Sequence, residues 1–179
     1  MRSYEGVIHK EEVREVFEAD SYIEAIQKSR EKIMRKDYIP VLVIESLEEP
    51  TYAFIRNSLN SFQKLVKGTI EITTCPDLKD IDIICNDDGK NRKLDLNRAL
   101  TMDNHLYDVV AGPMILTATD NEGNTIGLSD EQLSAAHQFF AMPEVFVLDD
   151  LKAKINVIKC TYEMARIMKL NFISNVSVK

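Results

Sequence analysis

Short apolar runs separated by polar turns organise this chain, and two spacings of apolar residues recur in it. Ile70 and Ile72 alternate with polar neighbours over 69–74, and Ile81 and Ile83 repeat the pattern over 80–86. A period of two is that of a half-buried strand, and Pro76-Asp77 supplies a turn, so a β-hairpin is predicted over 69–86. Tyr38 to Ile44 is a β-rich run, Tyr52 to Ile55 is a shorter one, and Val109 to Thr119 is an apolar strand interrupted at Gly112-Pro113. Residues 4–18 mix β-branched residues with charges and predict a strand there. The other spacing is helical. Ile23, Ile26 and Ile33-Met34 follow a start at Asp20 or Ser21, with Glu24 at the capping-box distance from Ser21, and the pattern runs to Lys36. Leu59, Phe62, Leu65 and Val66 predict a helix begun at Asn57 or Ser58, with Gly68 as the glycine just past its end. Ser129 and Gln132 form a capping-box pattern ahead of Leu133, Ala136, Phe139 and Phe140, and Pro143 closes that helix. Leu151, Ile155, Ile158, Tyr162, Ala165 and Met168 make one apolar stripe, which predicts a final helix over 150–168.

These elements predict an α+β protein, with an N-terminal strand–helix–strand unit followed by a mixed or antiparallel sheet with flanking helices. Glu48-Glu49-Pro50 marks a break. The division expected is 1–48 as the strand–helix–strand module, 49–148 as the main domain and 149–179 as a C-terminal helix and tail. The hairpin at 69–86 and a strand at 114–119 are expected in one sheet, with the two β-containing parts meeting near 46–58. The apolar stripe of the final helix predicts a homo-oligomer, most simply a two-fold dimer, unless it packs on its own domain.

Charge narrows the class of partner. The formal net charge is −7 over 179 residues. Residues 149–179 hold 6 Lys/Arg against 3 Asp/Glu, and the remainder holds 16 against 26, so a balance of +3 follows one of −10. An acidic body repels a phosphate backbone, so no nucleic-acid partner is expected. No apolar run reaches the ~18 residues of a membrane span, and the first residues carry charges instead of an apolar signal core. Cys75, Cys85 and Cys160 have no CxxC spacing. The chain is therefore expected in the cytoplasm, with no membrane partner.

A search for chemistry finds no nucleophile motif, P-loop or dinucleotide fingerprint. His9, His105 and His137 lie apart, without metal-ligand spacing. Cys85 has no visible base. No catalytic residue, metal ligand or cofactor is expected, and the chain is not expected to be an enzyme. Asp80, Asp82, Asp87 and Asp88 could be a solvated strand face or a cation site. Asn97-Arg98 raises the sharper question, because an amide and a guanidinium sit where Leu94 and Leu96 have just resumed an apolar pattern. A packed guanidinium needs a partner, either a protein carboxylate such as Asp95 or Asp108 or a ligand phosphate. Lys90, Arg92, Lys93 and Arg98 gather in a short stretch. The ligand reading places Arg98 at a concave surface by the turn 86–89, with Asn86 and Asn97 as further donors and Tyr107 as a stacking face.

Five segments resemble an uncharacterised domain family of phages and conjugative elements of Gram-positive bacteria. They are LNSFQKLVKGTIEI (59–72), IICNDDGK (83–90), LNRAL (96–100), YDVVAGPMIL (107–116) and LSDEQLSAAHQFFAMPEVF (128–146). Two details depart from the family pattern: Lys67-Gly68 stands where Gly-Gly is usual, and Lys93-Leu94-Asp95-Leu96 precedes NRAL in place of Gly-Leu-Pro. The resemblance implies a mobile-element origin and action inside a host cell, and it assigns no activity. Asn86, Asn97 and Arg98 fall within these segments, whose pattern could equally mark fold-critical hydrogen bonding. Two functions stay open. One is an accessory protein that counters host defence by binding and sequestering a small phosphorylated, nucleotide-type signalling molecule without catalysis. The other is an inhibitor that binds a host defence protein directly. A metal-dependent hydrolase using Asp80, Asp82 and Asp87 is a third and weaker reading.

Overall fold

The structure, a computed structural model, describes residues 4–9, 14–19, 37–103, 105–149 and 154–168. Its centre is an eight-stranded sheet built from β1 (Tyr4–His9), β2 (Arg14–Ala19), β3 (Tyr38–Ile44), β4 (Thr51–Arg56), β5 (Ile70–Thr74), β6 (Asp82–Asn86), β9 (Met114–Thr119) and β10 (Thr125–Ile126). The order is β2–β1–β4–β3–β9–β6–β5, with β10 paired to β9. β1 and β4 run parallel and the other paired strands run antiparallel. Two helices, α1 (Leu59–Val66) and α2 (Asp130–Phe139), flank it. Two further hairpins stand apart from the main sheet: β7 (Leu96–Met102) with β8 (His105–Ala111), and β11 (Glu144–Asp149) with β12 (Lys154–Lys159). A third helix, α3, covers residues 162–168.

The central strands read as continuous apolar runs because both faces of the sheet are covered. Val41, Val43, Ala53, Ile55, Ile84 and Ile115 pack with Phe62 and Val66 of α1. Their alternates, Leu42, Ile44, Tyr52, Phe54, Ile83 and Leu116, pack on the opposite face with Leu100 and Val110 of the β7–β8 hairpin and with Leu133 and Ala136 of α2. Full burial of one such aliphatic side chain stabilises by about 1.5–3 kcal/mol. The β7–β8 hairpin is thus a lid on one side of the sheet, and this fixes where Asn97 and Arg98 can point.

The predicted hairpin at 69–86 is β5–β6, and it shares the sheet with β9 through pairs such as Ile84 with Ile115. Both helix starts form as expected, with Ser58 capping α1 and Ser129 and Gln132 making the reciprocal box on α2. Several expectations need correction. Within 4–19 the structure has two strands, β1 and β2, paired antiparallel, not one. The helix predicted from Asp20 or Ser21 to Lys36 lies outside the described residues. β3 does not sit beside β1 or β2; it lies between β4 and β9, so the sheet is continuous across 46–58. The helix predicted over 150–168 is instead the strand β12 followed by α3. Ile155 and Ile158, three apart, fit a helix stripe, but in β12 they occupy opposite faces. At the end of α1, Lys67 takes the left-handed conformation at φ 63°, not Gly68. Gly68 is required for space: a Cβ there would lie 2.5 Å from Asn86 Nδ2 and 2.6 Å from an Arg92 guanidinium nitrogen.

Candidate functional site

Asn97 owes its position to a β-bulge. Leu96 pairs with Ala111 and Arg98 with Val110, so Asn97 is the extra residue on β7. An extra residue breaks the alternation and re-aims the side chains beside it. The Asn97 amide donates to the carbonyls of Ile44 at 2.7 Å and Gly112 at 2.8 Å, tying the end of β3 to the β8–β9 link. Its own carbonyl groups, main chain and side chain, each accept from Arg98 at 3.1 Å. The guanidinium continues to the Glu48 carbonyl at 3.2 Å and to the Phe140 carbonyl at the end of α2 at 3.4 Å. Both residues have 0% exposure. A cation at a helix carboxyl end is also favoured by the helix dipole.

Arg98 is therefore held by neutral carbonyls, not by Asp95 or Asp108. The carboxylate that acts on its charge is Glu144, which local sequence spacing does not point to. Glu144 is buried at the start of β11, accepts from the Ala99 N–H at 2.6 Å and lies 4.0 Å from the Lys159 ammonium. Burial pushes its carboxyl above the ordinary value, and the Ala99 N–H, Lys159 and Arg98 pull it back. Burial likewise lowers the Arg98 value, opposed chiefly by Glu144. The available signal was a lone carboxylate between Pro143 and Val145-Phe146. This pair, Ala99 with Glu144, joins the roots of the two hairpins.

A concave surface does exist by the turn 86–89, but Arg98 is not on it; the expectation that it reaches that surface is corrected. The cavity is about 160 Å³ and is lined by Glu71, Cys85, Asn86, Asp87, Asp88, Lys90, Asp108 and their neighbours. Asn86 is on its wall and is also structural: its amide donates to the Val66 carbonyl at 3.0 Å, and its side-chain oxygen accepts from the Asp88 N–H. The basic cluster disperses in space. Lys90 pairs with Asp108, and Arg92 donates to the Lys67 carbonyl at 2.6 Å. Tyr107 is the extra residue of a second bulge, on β8 between the pairs Leu100–Asp108 and Thr101–Leu106. It is 57% exposed and does not line the cavity. The four sequence-predicted residues thus split: Asn97 and Arg98 together in the core, Asn86 at the cavity, Tyr107 outside.

Burial raises the Cys85 thiol to about 11, so it stays protonated at neutral pH and is a poor nucleophile. Among the described residues no three His, Cys, Asp or Glu side chains gather to hold a metal ion. No described helix is long and apolar enough to cross a membrane. The outer surface is more distinctive. Among the described residues, ten of thirteen exposed large hydrophobic side chains lie in 102–107 and 142–168: Met102, Leu106, Tyr107, Met142, Val147, Ile155, Ile158, Met164, Ile167 and Met168.

Fold and site together define an α+β protein with a covered mixed sheet, a carbonyl-bound buried arginine and two two-stranded sheets beside the main one. The chain belongs to the family described as a domain of unknown function, DUF3846, whose model matches residues 36–142, more than half of the chain. The match includes β3, which the sequence pattern places in an N-terminal module. No curated protein and no solved structure matches it.

Proposed function

We propose that this protein is a non-catalytic binding protein that docks onto another protein through the hairpins β7–β8 and β11–β12. The observation that carries this reading is the concentration of exposed apolar side chains on 102–107 and 142–168. Scattered surface hydrophobes are ordinary, but a concentration of them marks an interaction surface. The buried Arg98 and Glu144 groups hold the hairpin roots to the body, which suits a preformed surface with little ordering cost on binding. The resemblance to domains of phages and conjugative elements makes a host defence protein the partner of choice and the host cytoplasm the place of action.

Sequestration of a nucleotide draws less support. Ligand pockets for molecules of that size run from about 300 to 1,000 Å³, against about 160 Å³ for the cavity by Asn86. Its lining includes Glu71, Asp87, Asp88 and Asp108 with a single lysine, Lys90, an arrangement that repels phosphate. Affinity capture from host lysate tests the docking reading, with wild type beside Tyr107→Asp and Ile158→Asp. Both positions are exposed, so both variants should fold. A protein retained by wild type and released by either variant supports docking. Retention unchanged in both variants, or a melting shift of the pure protein with a nucleotide, overturns it. At about 100 times its dissociation constant a nucleotide would stabilise the fold by about 2.7 kcal/mol, which a melting scan reads.

A further inference from the structure

We propose that the free edge of β5 is a dimer interface, where β5 of a second copy pairs antiparallel about a two-fold axis through Ile72. The proposal is independent of the docking reading, because it uses an edge of the main sheet and not the hairpins. Among the described strands β5 has β6 alone as a neighbour. The bond from the Asp87 N–H to the Thr69 carbonyl, 3.2 Å, fixes which residues face that neighbour. Thr69 stands opposite Asp87 when the β5–β6 register is continued, so Thr69, Glu71 and Thr73 direct their main-chain groups at β6. Ile70, Ile72 and Thr74 turn theirs outward. Natural sheet edges are blunted by lysine, proline or a bulge. β5 reads Ile-Glu-Ile-Thr-Thr, pairs without a register shift and exposes Ile72 by 54%.

One register suits a second copy. The axis must pass through a residue whose N–H and C=O face outward, which leaves Ile70, Ile72 and Thr74. An axis at Ile70 sets Thr74 against Val66, which belongs to α1. An axis at Thr74 sets Ile72 against Pro76, which has no N–H to give. An axis at Ile72 overlaps the whole strand. Ile72 then exchanges both hydrogen bonds with its own copy, and Ile70 does so with Thr74 of that copy. The side chains agree with this register. Ile72 pairs with Ile84 and so shares the face on which α1 packs and Ile70 is partly buried, and the two Ile72 side chains cover each other there. On the opposite face Glu71 meets Thr73 of the second copy, so no like charges are directly opposed. The two Glu71 side chains are diagonal neighbours, at about 7–8 Å. Charge also favours the antiparallel sense. It brings Lys67, just before β5, toward Asp77, just after β5 of the second copy. Lys67 lies 3.8 Å from Glu45 in an exposed pair, and Asp77 accepts from the Thr101 hydroxyl, so both charges still face solvent. Glu71 and Thr73 line the cavity by the turn 86–89. The second copy therefore adds its own Thr73 and Glu71 beside that cavity. A foreign strand would have to reproduce these pairings, whereas a second copy has them by symmetry.

Sedimentation of the full chain over a range of concentrations tests the pairing. Wild type should pass from the mass of one chain to twice that mass as concentration rises. Ile72→Lys opposes two ammonium groups at the axis and should weaken the dimer about tenfold or more. Ile72→Pro removes an outward N–H and no bond to β6, so the strand stays in place while its outer pairing is lost. Ile72→Cys reads the register. Hydrogen-bonded Cα atoms directly opposed lie about 5.5 Å apart, within disulfide reach, so mild oxidation should give a covalent dimer. Thr74→Cys sits opposite Ile70, about 14 Å along the strands from its own copy, and should stay uncrosslinked under the same oxidation. The native cysteines are buried and do not compete. A wild type that stays monomeric, a dimer that survives both Ile72→Lys and Ile72→Pro, or equal crosslinking of Ile72→Cys and Thr74→Cys overturns the proposal. A monomeric wild type whose Ile72→Pro variant releases a protein captured from lysate gives the edge to a foreign strand and overturns it too. Ile158→Asp, the docking variant, should leave the dimer unchanged; loss of the dimer there would place the interface on the hairpins instead.

Discussion

The ends of the two flanking helices are held by the same chemistry in different surroundings. At α1, Asn86 donates to the Val66 carbonyl and Arg92 to the Lys67 carbonyl. At α2, Arg98 donates to the Phe140 carbonyl and is steadied by Asn97. An asparagine and an arginine serve each end. Arg92 is exposed and makes its bond in competition with water, whereas Arg98 has 0% exposure. The comparison teaches that the LNRAL segment is a clamp on the fold. Its guanidinium holds β7, the loop after β3 and the end of α2 in one place, and the hairpin surface outside depends on that clamp.

Removing Arg98 is the most direct way to break the comparison. Arg98→Ala leaves the carbonyls of Asn97, Glu48 and Phe140 without this donor and takes from the buried Glu144 one of the two cations that act on it. Loss of one member of a buried charged group costs about 3–5 kcal/mol. Urea denaturation should show a fall of that size. Arg98→Lys should recover only part of it, because an ammonium cannot reproduce the fork that spans three carbonyls. A loss under about 1 kcal/mol would mean that the guanidinium is free to serve a ligand after all.

Much of the fold was legible because apolar residues declare themselves in number. The runs at 41–44, 52–55 and 114–118 mark central strands, and Ser58, Ser129 and Gln132 mark helix starts. The site was less legible, for a definite reason. Pattern reading counts every residue as one step of a regular ladder, and Asn97 and Tyr107 are each an extra step. A bulge leaves composition unchanged and shifts the facing of everything beside it. Asn97-Arg98 stands out in the sequence, but the partners of the two are main-chain carbonyls from three other segments, which no local spacing records. Ile155 and Ile158 misled for a related reason: apolar spacing of three and four fits a helix, and a strand with both faces apolar contains the same residues.

The carboxylate across from Arg98 gives a second, smaller effect. Glu144→Ala orphans the Ala99 N–H and should cost about 1–3 kcal/mol, the range for a buried unsatisfied group. Glu144→Gln keeps an acceptor and should cost less. The two differ in pH dependence from wild type. The Glu144 carboxyl is raised in the fold above its ordinary 4.5, so the folded state binds this proton more tightly than the unfolded chain. Stability from that proton is fully present below 4.5 and is lost as pH rises through the folded value. Urea midpoints taken from acid to neutral pH should show wild type losing ground to Glu144→Gln as pH rises. A constant difference between them would place the burial of Glu144 in doubt.

Crowding rather than charge decides the next effect, at the end of α1. Gly68→Ala pushes a Cβ toward Asn86 Nδ2 and the Arg92 guanidinium, each closer than 3 Å. Both are side-chain tips and can withdraw, so the cost is the loss of their bonds to Val66 and Lys67, about 1–2 kcal/mol. Asn86→Ala should cost a similar amount, and the double variant should cost little more than either alone, because the two changes remove the same bond. Full additivity in thermal melts would separate Gly68 from the Asn86 bond.

The smallest effect sharpens the comparison most. Arg92→Ala removes a donor at a helix carboxyl end, as Arg98→Ala does, but in solvent. The Lys67 carbonyl can then bond to water, and the favourable charge at the end of α1 is lost. Those terms amount to about 0.3–1 kcal/mol for an exposed cation at a helix terminus. They are screened by salt, whereas the buried Arg98 bonds are screened much less. Denaturation of Arg92→Ala and Arg98→Ala in low and high salt should therefore give a gap between wild type and Arg92→Ala that closes with salt and a gap for Arg98→Ala that stays open. If the Arg92 gap were as large as the Arg98 gap and equally indifferent to salt, burial would not be what distinguishes the two clamps. The difference would then have to be sought in the Lys67 turn, which holds a non-glycine residue at positive φ.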